Sequence, residues 1–190
     1  MAFLKSLGQA AHLYEVMKKY PQLAIPAFRL HDVLMRGDEP FTVGERELIF
    51  AYVSGLNACS FCYRGHVVAA ELWGIEPGTM DKLMQDLESA PIDPKLRAVL
   101  RYVKKLTETP GKMLQADADA VYAAGWDEDA LFTAVGIAAL AGFMNRIADG
   151  AGVVASNTRT TLGKAKWKSY TENLINYGFR WPADEPPPRF

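Results

Sequence analysis

Two cysteines and a histidine lie close together in the segment Cys59-Ser60-Phe61-Cys62-Tyr63-Arg64-Gly65-His66. The chain contains only these two cysteines, and they are three residues apart. If the segment is helical, Cys59, Cys62 and His66 fall on one face of the helix. Residues three apart on a helix are close enough for a disulfide to join them. The spacing therefore permits a dithiol that can close, with a base beside it.

The position of the two thiols at the start of a predicted helix favours thiolate chemistry. Unpaired backbone amides and the helix dipole at such a position lower the pKa of a thiol. His66 lies one turn after Cys62 and can accept its proton, so we expect Cys62 to be the attacking sulfur. Cys59, which is nearer the helix N-terminus, is the alternative attacking residue. In the other interpretation, both cysteines are inert and pack as small hydrophobic residues.

Glu47 is the third group that we expect at this site. It precedes Cys59 by twelve residues, on the predicted helix before the dithiol helix. If the two helices fold back on each other about Asn57-Ala58, Glu47 lies opposite His66, where a carboxylate can fix the imidazole tautomer and raise its basicity. We therefore predict a proton relay from Glu47 through His66 to the dithiol. The alternative is an exposed glutamate that pairs with Arg46 or another neighbour.

The hydrophobic pattern predicts an all-α protein. Apolar residues recur with a period near 3.6, and no segment alternates as a strand does. Thr42 and Glu45 form a capping box, and Asp93 and Asp127 are predicted N-caps. The predicted helices are 5–19, 26–35, 42–56, 58–72, 78–88, 94–107, 115–124, 128–148 and 164–177.

The domain organisation follows from the same pattern. No linker divides residues 1–190, so we predict a single domain with N-terminal helices and an extended, proline-rich C-terminal tail from Trp181 to Phe190. The 128–148 helix is rich in alanine and poor in charge, which indicates burial on most sides and predicts a homo-oligomer.

Composition limits the classes of function. A formal net charge of −1 gives no electrostatic basis for binding nucleic acid or an anionic membrane. No stretch approaches the length of a membrane span, and the N-terminus lacks the apolar run of a signal peptide. Two cysteines cannot form the disulfide framework of a secreted domain of this size. We therefore expect a cytoplasmic protein that needs no cofactor.

Other polar residues carry weaker predictions. His12 and His31 stand alone on amphipathic helices, and we interpret them as packed or surface residues. Arg146 and Asp149 are spaced for an ion pair on a buried helix that also carries Asn145, so their role is interpreted as structural. Tyr63 and Arg64 flank the thiols and are candidates for shaping the entrance to the site.

The pattern of Glu47 followed by Cys59-x-x-Cys62-x-x-x-His66 resembles the alkylhydroperoxidase D (AhpD)-like branch of the carboxymuconolactone decarboxylase superfamily. The similarity is greatest to its uncharacterised peroxidase-related members and covers most of the chain. It includes the helical pair at 42–74 and the segment 143–149. The resemblance implies an all-α, oligomeric protein. AhpD itself reduces hydroperoxides through its dithiol and recycles a partner peroxiredoxin with electrons from a lipoyl-bearing adaptor.

The resemblance also implies roles for individual residues. Glu47 and His66 correspond to the proton relay, and Cys59 and Cys62 to the redox pair of an antioxidant, thiol-dependent peroxidase. An external dithiol or a redox partner protein would then restore the thiols. Phe61 departs from AhpD, which has a histidine at this place, so a second base is lost and the AhpD partner system is less readily transferred.

Two alternatives to a peroxidase remain open at this stage. One is a dithiol/disulfide oxidoreductase without peroxidase activity. The other is a helical module that binds a metal through the same four residues (Cys59, Cys62, His66 and Glu47), a donor set that suits zinc. Structural zinc sites usually take a second pair of ligands from a distant segment, and the sequence shows none.

Overall fold

The computed structural model describes residues 2–7, 12–37 and 39–153. Within these ranges the chain forms α-helices, one short 3-10 turn at 110–112 and no strand, so the all-α prediction is confirmed. The helices are α1 (Leu13–Lys19), α2 (Pro21–Met35), α3 (Val43–Leu56), α4 (Ser60–Leu72), α5 (Thr79–Gln85), α6 (Pro94–Glu108), α7 (Gln115–Ala123) and α8 (Glu128–Gly150).

Helices α3 and α4 form the antiparallel pair at the centre of the fold. The predicted capping box begins α3: the Glu45 amide donates to the Thr42 hydroxyl, and the Thr42 amide donates to the Glu45 carboxylate. Gly44 lets the start of α3 approach the end of α4, because a Cβ atom there would lie 2.6 Å from the Trp73 carbonyl oxygen. Most of α3 is buried, including the polar residues Arg46, Glu47 and Ser54.

The turn between α3 and α4 places Cys59 at the N-cap position, directly before the first residue of the dithiol helix. The Ala58 amide donates to the Gly55 carbonyl, and the Cys59 amide donates to the Ser54 carbonyl, each at 3.0 Å. This pair of bonds is the Schellman ending of a helix, in which glycine usually takes the left-handed position. Here Ala58 takes it, with φ of 57°. Cys59 therefore both completes the end of α3 and caps the N-terminus of α4.

Helix α8 packs against α2, α3, α4 and α6. Asp127 accepts a hydrogen bond from the Ala130 amide at 2.9 Å, as predicted for the N-cap. By length and composition α8 is also apolar enough to cross a membrane, with a mean hydropathy of 1.5, although many core helices of soluble proteins meet the same criterion. The prediction that no stretch approaches such a span was therefore wrong.

The N-terminal helices differ from the prediction. The first helix begins at Leu13, where His12 provides a side-chain cap by accepting from the Tyr14 amide at 3.3 Å; residues 2–7 form turns and bends. The second begins at Pro21, because a proline at the first helical position loses no intrahelical hydrogen bond. Pro26 consequently lies inside α2 and does not begin it. The predicted helix at 164–177 and the proline-rich tail lie outside the described residues.

Candidate active site

Glu47 lies in the protein interior and contacts two basic side chains. Its side chain is 1% exposed; Oε2 is 2.5 Å from His66 Nδ1, and Oε1 is 2.7 Å from Arg36 Nη1 in an ion pair without hydrogen-bond alignment. The predicted contact between Glu47 and His66 is therefore present. The exposed ion pair with Arg46 is not, because Arg46 is itself buried and donates to main-chain carbonyl groups.

The surroundings of Glu47 keep its carboxylate ionised. Burial raises the pKa of Glu47, but the charge and hydrogen bond of His66, followed by the charge of Arg36, lower this pKa to about 2. An ionised carboxylate in the interior orients the imidazole of His66 and stabilises its imidazolium form, without taking the proton itself. Glu47 is thus placed to hold and orient the imidazole of His66.

The imidazole of His66 is fixed in orientation. Its ring stacks on Phe50, with ring centroids 3.6 Å apart and planes inclined by 22°. Because Nδ1 contacts Glu47, Nε2 is the ring nitrogen that remains for a second partner. His66 and Cys62 are four residues apart on α4 and so lie on the same face of the helix.

The two thiols are buried, and their pKa values are shifted in opposite directions. Cys59 is 0% exposed and Cys62 is 3% exposed, and neither is in a disulfide. Hydrogen bonding from the Cys62 side chain lowers the pKa of Cys59, against the opposite effect of burial. The same hydrogen bond, together with burial, raises the pKa of Cys62. Negative charge is therefore favoured on Cys59, which caps α4, and disfavoured on Cys62.

These opposite pKa shifts favour the alternative prediction, in which Cys59 and not Cys62 is the attacking sulfur. We expected Cys62 to form the thiolate because His66 follows it by one turn. Among the described residues, however, no hydrogen bond or ion pair joins His66 to either sulfur. His66 thus lies one turn from Cys62, while the directions of the two pKa shifts favour the anion on Cys59.

Asn145 on α8 completes the site, and its role there was not predicted. Its Oδ1 accepts from Asn57 Nδ2 and its Nδ2 donates to Ser54 Oγ, both at 2.9 Å, while its backbone oxygen is 3.9 Å from Cys59 Sγ. A polar amide inside a long apolar segment is the sequence signal for such a position, because buried amides need partners.

We predicted His31 to be a packed or surface residue. It is packed, and it lies beside His66. It is 3% exposed, its ring lies 6.1 Å from that of His66, and its Nδ1 has no hydrogen-bond partner. Asp32 is 3.6 Å away, beyond hydrogen-bond distance. Burial lowers the pKa of His31, so the ring is neutral at pH 7.

The remaining candidates are less central. Phe61, which lies between the two cysteines in sequence, is buried and meets the His12 ring edge-on, at 5.0 Å between centroids. Arg146 donates to the Gly142 carbonyl at 2.8 Å, and the predicted pair with Asp149 does not occur. Within the described ranges, no group of three or more potential ligands is arranged to hold a metal ion.

Solved structures give the comparison with known proteins. The chain matches an uncharacterized peroxidase-related protein from Ralstonia eutropha, described as an alkylhydroperoxidase AhpD core, with a TM-score of 0.72 and 26% identity over 78% of each chain. It also matches an uncharacterized peroxidase-related protein from Silicibacter sp., with a TM-score of 0.67 and 18% identity over 82% of this chain and 91% of the other.

A third match has a different description. It is a cysteine-to-alanine variant of the debrominase Bmp8 in complex with 2,3,4-tribromopyrrole, with a TM-score of 0.67 and 18% identity over 77% of this chain and 78% of the other. At this identity the match shows a shared fold alone. No protein-family model and no curated protein matches the sequence.

Proposed function

Because the chain belongs to the AhpD-like superfamily, among its peroxidase-related members, we propose that it is a thiol-dependent peroxidase that reduces hydroperoxides through Cys59 and Cys62. The observation that supports this function most strongly is the buried contact of Glu47 with His66 on the helix that carries the dithiol. Inert packed cysteines need neither a fixed base nor a buried carboxylate behind it. Each of these groups has a use in the reaction that follows.

The first step is attack by the Cys59 thiolate on the terminal oxygen of the hydroperoxide. A sulfur–oxygen bond forms as the oxygen–oxygen bond breaks, which leaves Cys59 as a sulfenic acid. The departing alkoxide takes a proton and leaves as an alcohol. His66 supplies this proton, which it received from Cys59 by way of the Cys62 thiol when Cys59 ionised, and Glu47 stabilises the imidazolium in the interval.

The second step closes the disulfide. Cys62 loses its proton to His66 and attacks the Cys59 sulfur, and the hydroxyl of the sulfenic acid recovers that proton and leaves as water. The raised pKa of Cys62, caused mainly by its hydrogen bond to Cys59, keeps this thiol protonated until the base acts. Two thiols and one hydroperoxide thus yield a disulfide, an alcohol and water. An external dithiol or a redox partner protein then reduces the disulfide.

The test is a single-turnover assay with reduced protein and an organic hydroperoxide. We expect one hydroperoxide consumed per protein, and a mass loss of two hydrogens located in the peptide that contains both cysteines. Cys59→Ser should abolish hydroperoxide consumption. Cys62→Ser should still consume one equivalent and stop at the sulfenic acid, which dimedone traps. Consumption that is unchanged in Cys59→Ser would contradict the assignment.

The same preparation tests the alternatives. A dithiol/disulfide oxidoreductase without peroxidase activity would reduce insulin disulfides and leave hydroperoxides intact. A metal-binding module would purify with a stoichiometric metal, although the Glu47 carboxylate already contacts His66 and Arg36. Since one structural neighbour is a debrominase, a brominated pyrrole serves as a competing substrate, and bromide release in place of peroxide loss would assign the dithiol to reductive dehalogenation.

Self-association is part of the proposal. Large apolar side chains are exposed on two helices that contact each other, with Val33 of α2 72% exposed and Phe132 of α8 75% exposed. Burial of these side chains against another copy would remove apolar area from water. Sedimentation velocity measures the result: we expect an oligomer, and Phe132→Glu should shift it toward the monomer.

A further inference from the structure

Asn145 of α8 lies beside the dithiol, and its backbone and side chain affect different cysteines. Its backbone oxygen lies 3.9 Å from Cys59 Sγ and accepts from the thiol. Its side-chain amide, which donates to Ser54 Oγ in the same buried cluster, lowers the pKa of Cys62. The carbonyl thus favours a protonated Cys59, and the amide favours an ionised Cys62. The hydrogen bond between the two cysteines has the opposite effects, because it lowers the pKa of Cys59 and raises the pKa of Cys62.

The orientation of the Asn145 side chain is fixed by its other partners. The amide oxygen accepts from Asn57, so the NH₂ group is directed to the opposite side, where it donates to Ser54. Asn145 is 2% exposed and Ser54 is 0% exposed, so water does not compete for these bonds. A dipole that is already oriented in a dry site stabilises a developing charge without reorganisation.

We propose that Asn145 is a positioning residue for the resolving step, in which it stabilises negative charge on Cys62 as the disulfide closes. This inference rests on the proposed function and deepens it. In that step the proton leaves Cys62 for His66, the sulfur–sulfur bond forms, and the sulfur–oxygen bond of the Cys59 sulfenic acid breaks to release water. The hydroperoxide is the only oxidant, and it was consumed in the preceding step.

A substitution of the Asn145 side chain leaves its backbone carbonyl beside Cys59 in place. The two steps of the reaction should therefore respond differently to the substitution. Asn145→Leu, which keeps a similar volume, should leave the rate of sulfenic acid formation within about twofold of the wild type. It should slow disulfide closure by about tenfold or more, since one donor to a developing anion is lost. Rapid quenching followed by mass spectrometry measures both rates, and dimedone should trap more sulfenic acid than in the wild type.

Two further variants keep the test decisive. Ser54→Ala releases one anchor of the amide and should slow closure in the same sense by a smaller factor, about threefold, which decides the question if Asn145→Leu does not fold. Gln115→Leu removes an exposed amide from α7 and should change neither rate. An unchanged closure rate in folded Asn145→Leu, an unchanged closure rate in Ser54→Ala, or an equal fall in both steps would overturn the proposal.

A peroxide-free measurement distinguishes failure of this inference from failure of the proposed function. The disulfide is formed with diamide and opened with dithiothreitol, a reaction in which Cys62 leaves as a thiolate when Cys59 is attacked. Asn145→Leu should slow this opening by about tenfold. If the wild type consumes no hydroperoxide but the variant opens slowly, the peroxidase function fails and the role of Asn145 stands. If opening is unchanged in the variant, the role of Asn145 fails.

Discussion

Two ion pairs of similar composition lie in contrasting surroundings. Glu47 contacts Arg36 and His66 in the interior between α2, α3 and α4, whereas Glu88 contacts Arg101 on the surface, where both side chains are more than half exposed. Each carboxyl has a lowered pKa, the first mainly because His66 overcomes the effect of burial and the second because Arg101 donates hydrogen bonds to it. The direction of the pKa shift therefore does not distinguish a functional carboxylate from a surface one.

Burial makes the difference between the two pairs. Water can replace Arg101 as the partner of Glu88, so the loss of one partner leaves the other solvated. Water cannot readily reach Glu47, so the loss of its carboxylate removes the buried charge that faces Arg36 and leaves the imidazole of His66 without its anchor. The four predictions below, from the largest expected effect to the smallest, test this contrast.

Glu47→Gln should have the largest effect. The neutral amide cannot stabilise the His66 imidazolium, so we expect peroxide reduction to fall by about 10²- to 10⁴-fold, the usual contribution of general acid–base catalysis. The free energy of unfolding should fall by about 3–5 kcal/mol, because Arg36 loses its buried counter-ion. Steady-state peroxide consumption and urea unfolding measure the two effects. Activity within twofold of the wild type would remove Glu47 from the relay.

Acid should destabilise the protein in two stages. His31 has a lowered pKa in the folded state because it is buried. Its contribution to the free energy of unfolding is therefore complete above its unfolded pKa of 6.5 and is lost as the pH falls below that value. Glu47, with its pKa lowered from 4.5 to about 2 by His66 and Arg36 against the effect of burial, contributes about 3 kcal/mol that is lost between these values.

Urea midpoints at pH 7, 5 and 3 measure both stages. In His31→Leu the urea midpoint should change less between pH 7 and pH 5 but should still fall toward pH 3. In Glu47→Gln the fall of the urea midpoint toward pH 3 should be smaller. Equal stability of the wild type at pH 7 and pH 5 would contradict the neutral, buried state of His31.

Gly44→Ala tests the close approach of the helix pair that holds the relay. The added Cβ would lie 2.6 Å from the Trp73 carbonyl oxygen, so α3 must move away from α4. We expect a loss of about 1–3 kcal/mol in the free energy of unfolding, as for other overpacked sites, and slower peroxide reduction. The matched control is Gly150→Ala at the end of α8, where no atom of the described residues outside its own helix backbone and its chain neighbours lies within 4 Å of the added Cβ. A neutral Gly44→Ala would mean that the two helices can separate freely.

Glu88→Gln should have the smallest effect. Both Glu88 and Arg101 are solvated, and salt screens their attraction. We expect a change in the urea midpoint that is smaller than the experimental error, and peroxide reduction identical to the wild type. A marked loss of activity here would show that the surface pair influences the site, and the contrast with Glu47 would disappear.

Sequence reasoning recovers the site where local spacing determines it. The position of Cys59 and Cys62 at the start of α4 follows from helical periodicity, and the contact of Glu47 with His66 follows from counting residues on either side of the turn at Asn57. Both inferences need only the geometry of one antiparallel helix pair. The capping residues Thr42 and Asp127 were predictable for the same local reason.

Contacts between distant segments were beyond that reasoning. Nothing local to His31 or Arg36 shows that α2 lies against α3, and nothing local to Asn145 shows that α8 reaches Cys59. The start of the first helix was also wrong, because an apolar period continued through residues that form turns. Periodicity shows which residues can be buried together, but tertiary packing decides which of them meet.

The distance along the chain between the dithiol and Asn145 has a consequence for synthesis. Asn57 and Asn145, which hydrogen-bond to each other, are separated by 88 residues. During translation the cysteines therefore emerge with Glu47 and His66 well before the helix that carries Asn145, and closing so long a loop is slow relative to forming the local helix pair. A nascent chain that ends before α8 carries both cysteines without the contact that Asn145 makes with Cys59, so we expect its thiols to be more accessible to oxidants than those of the folded protein.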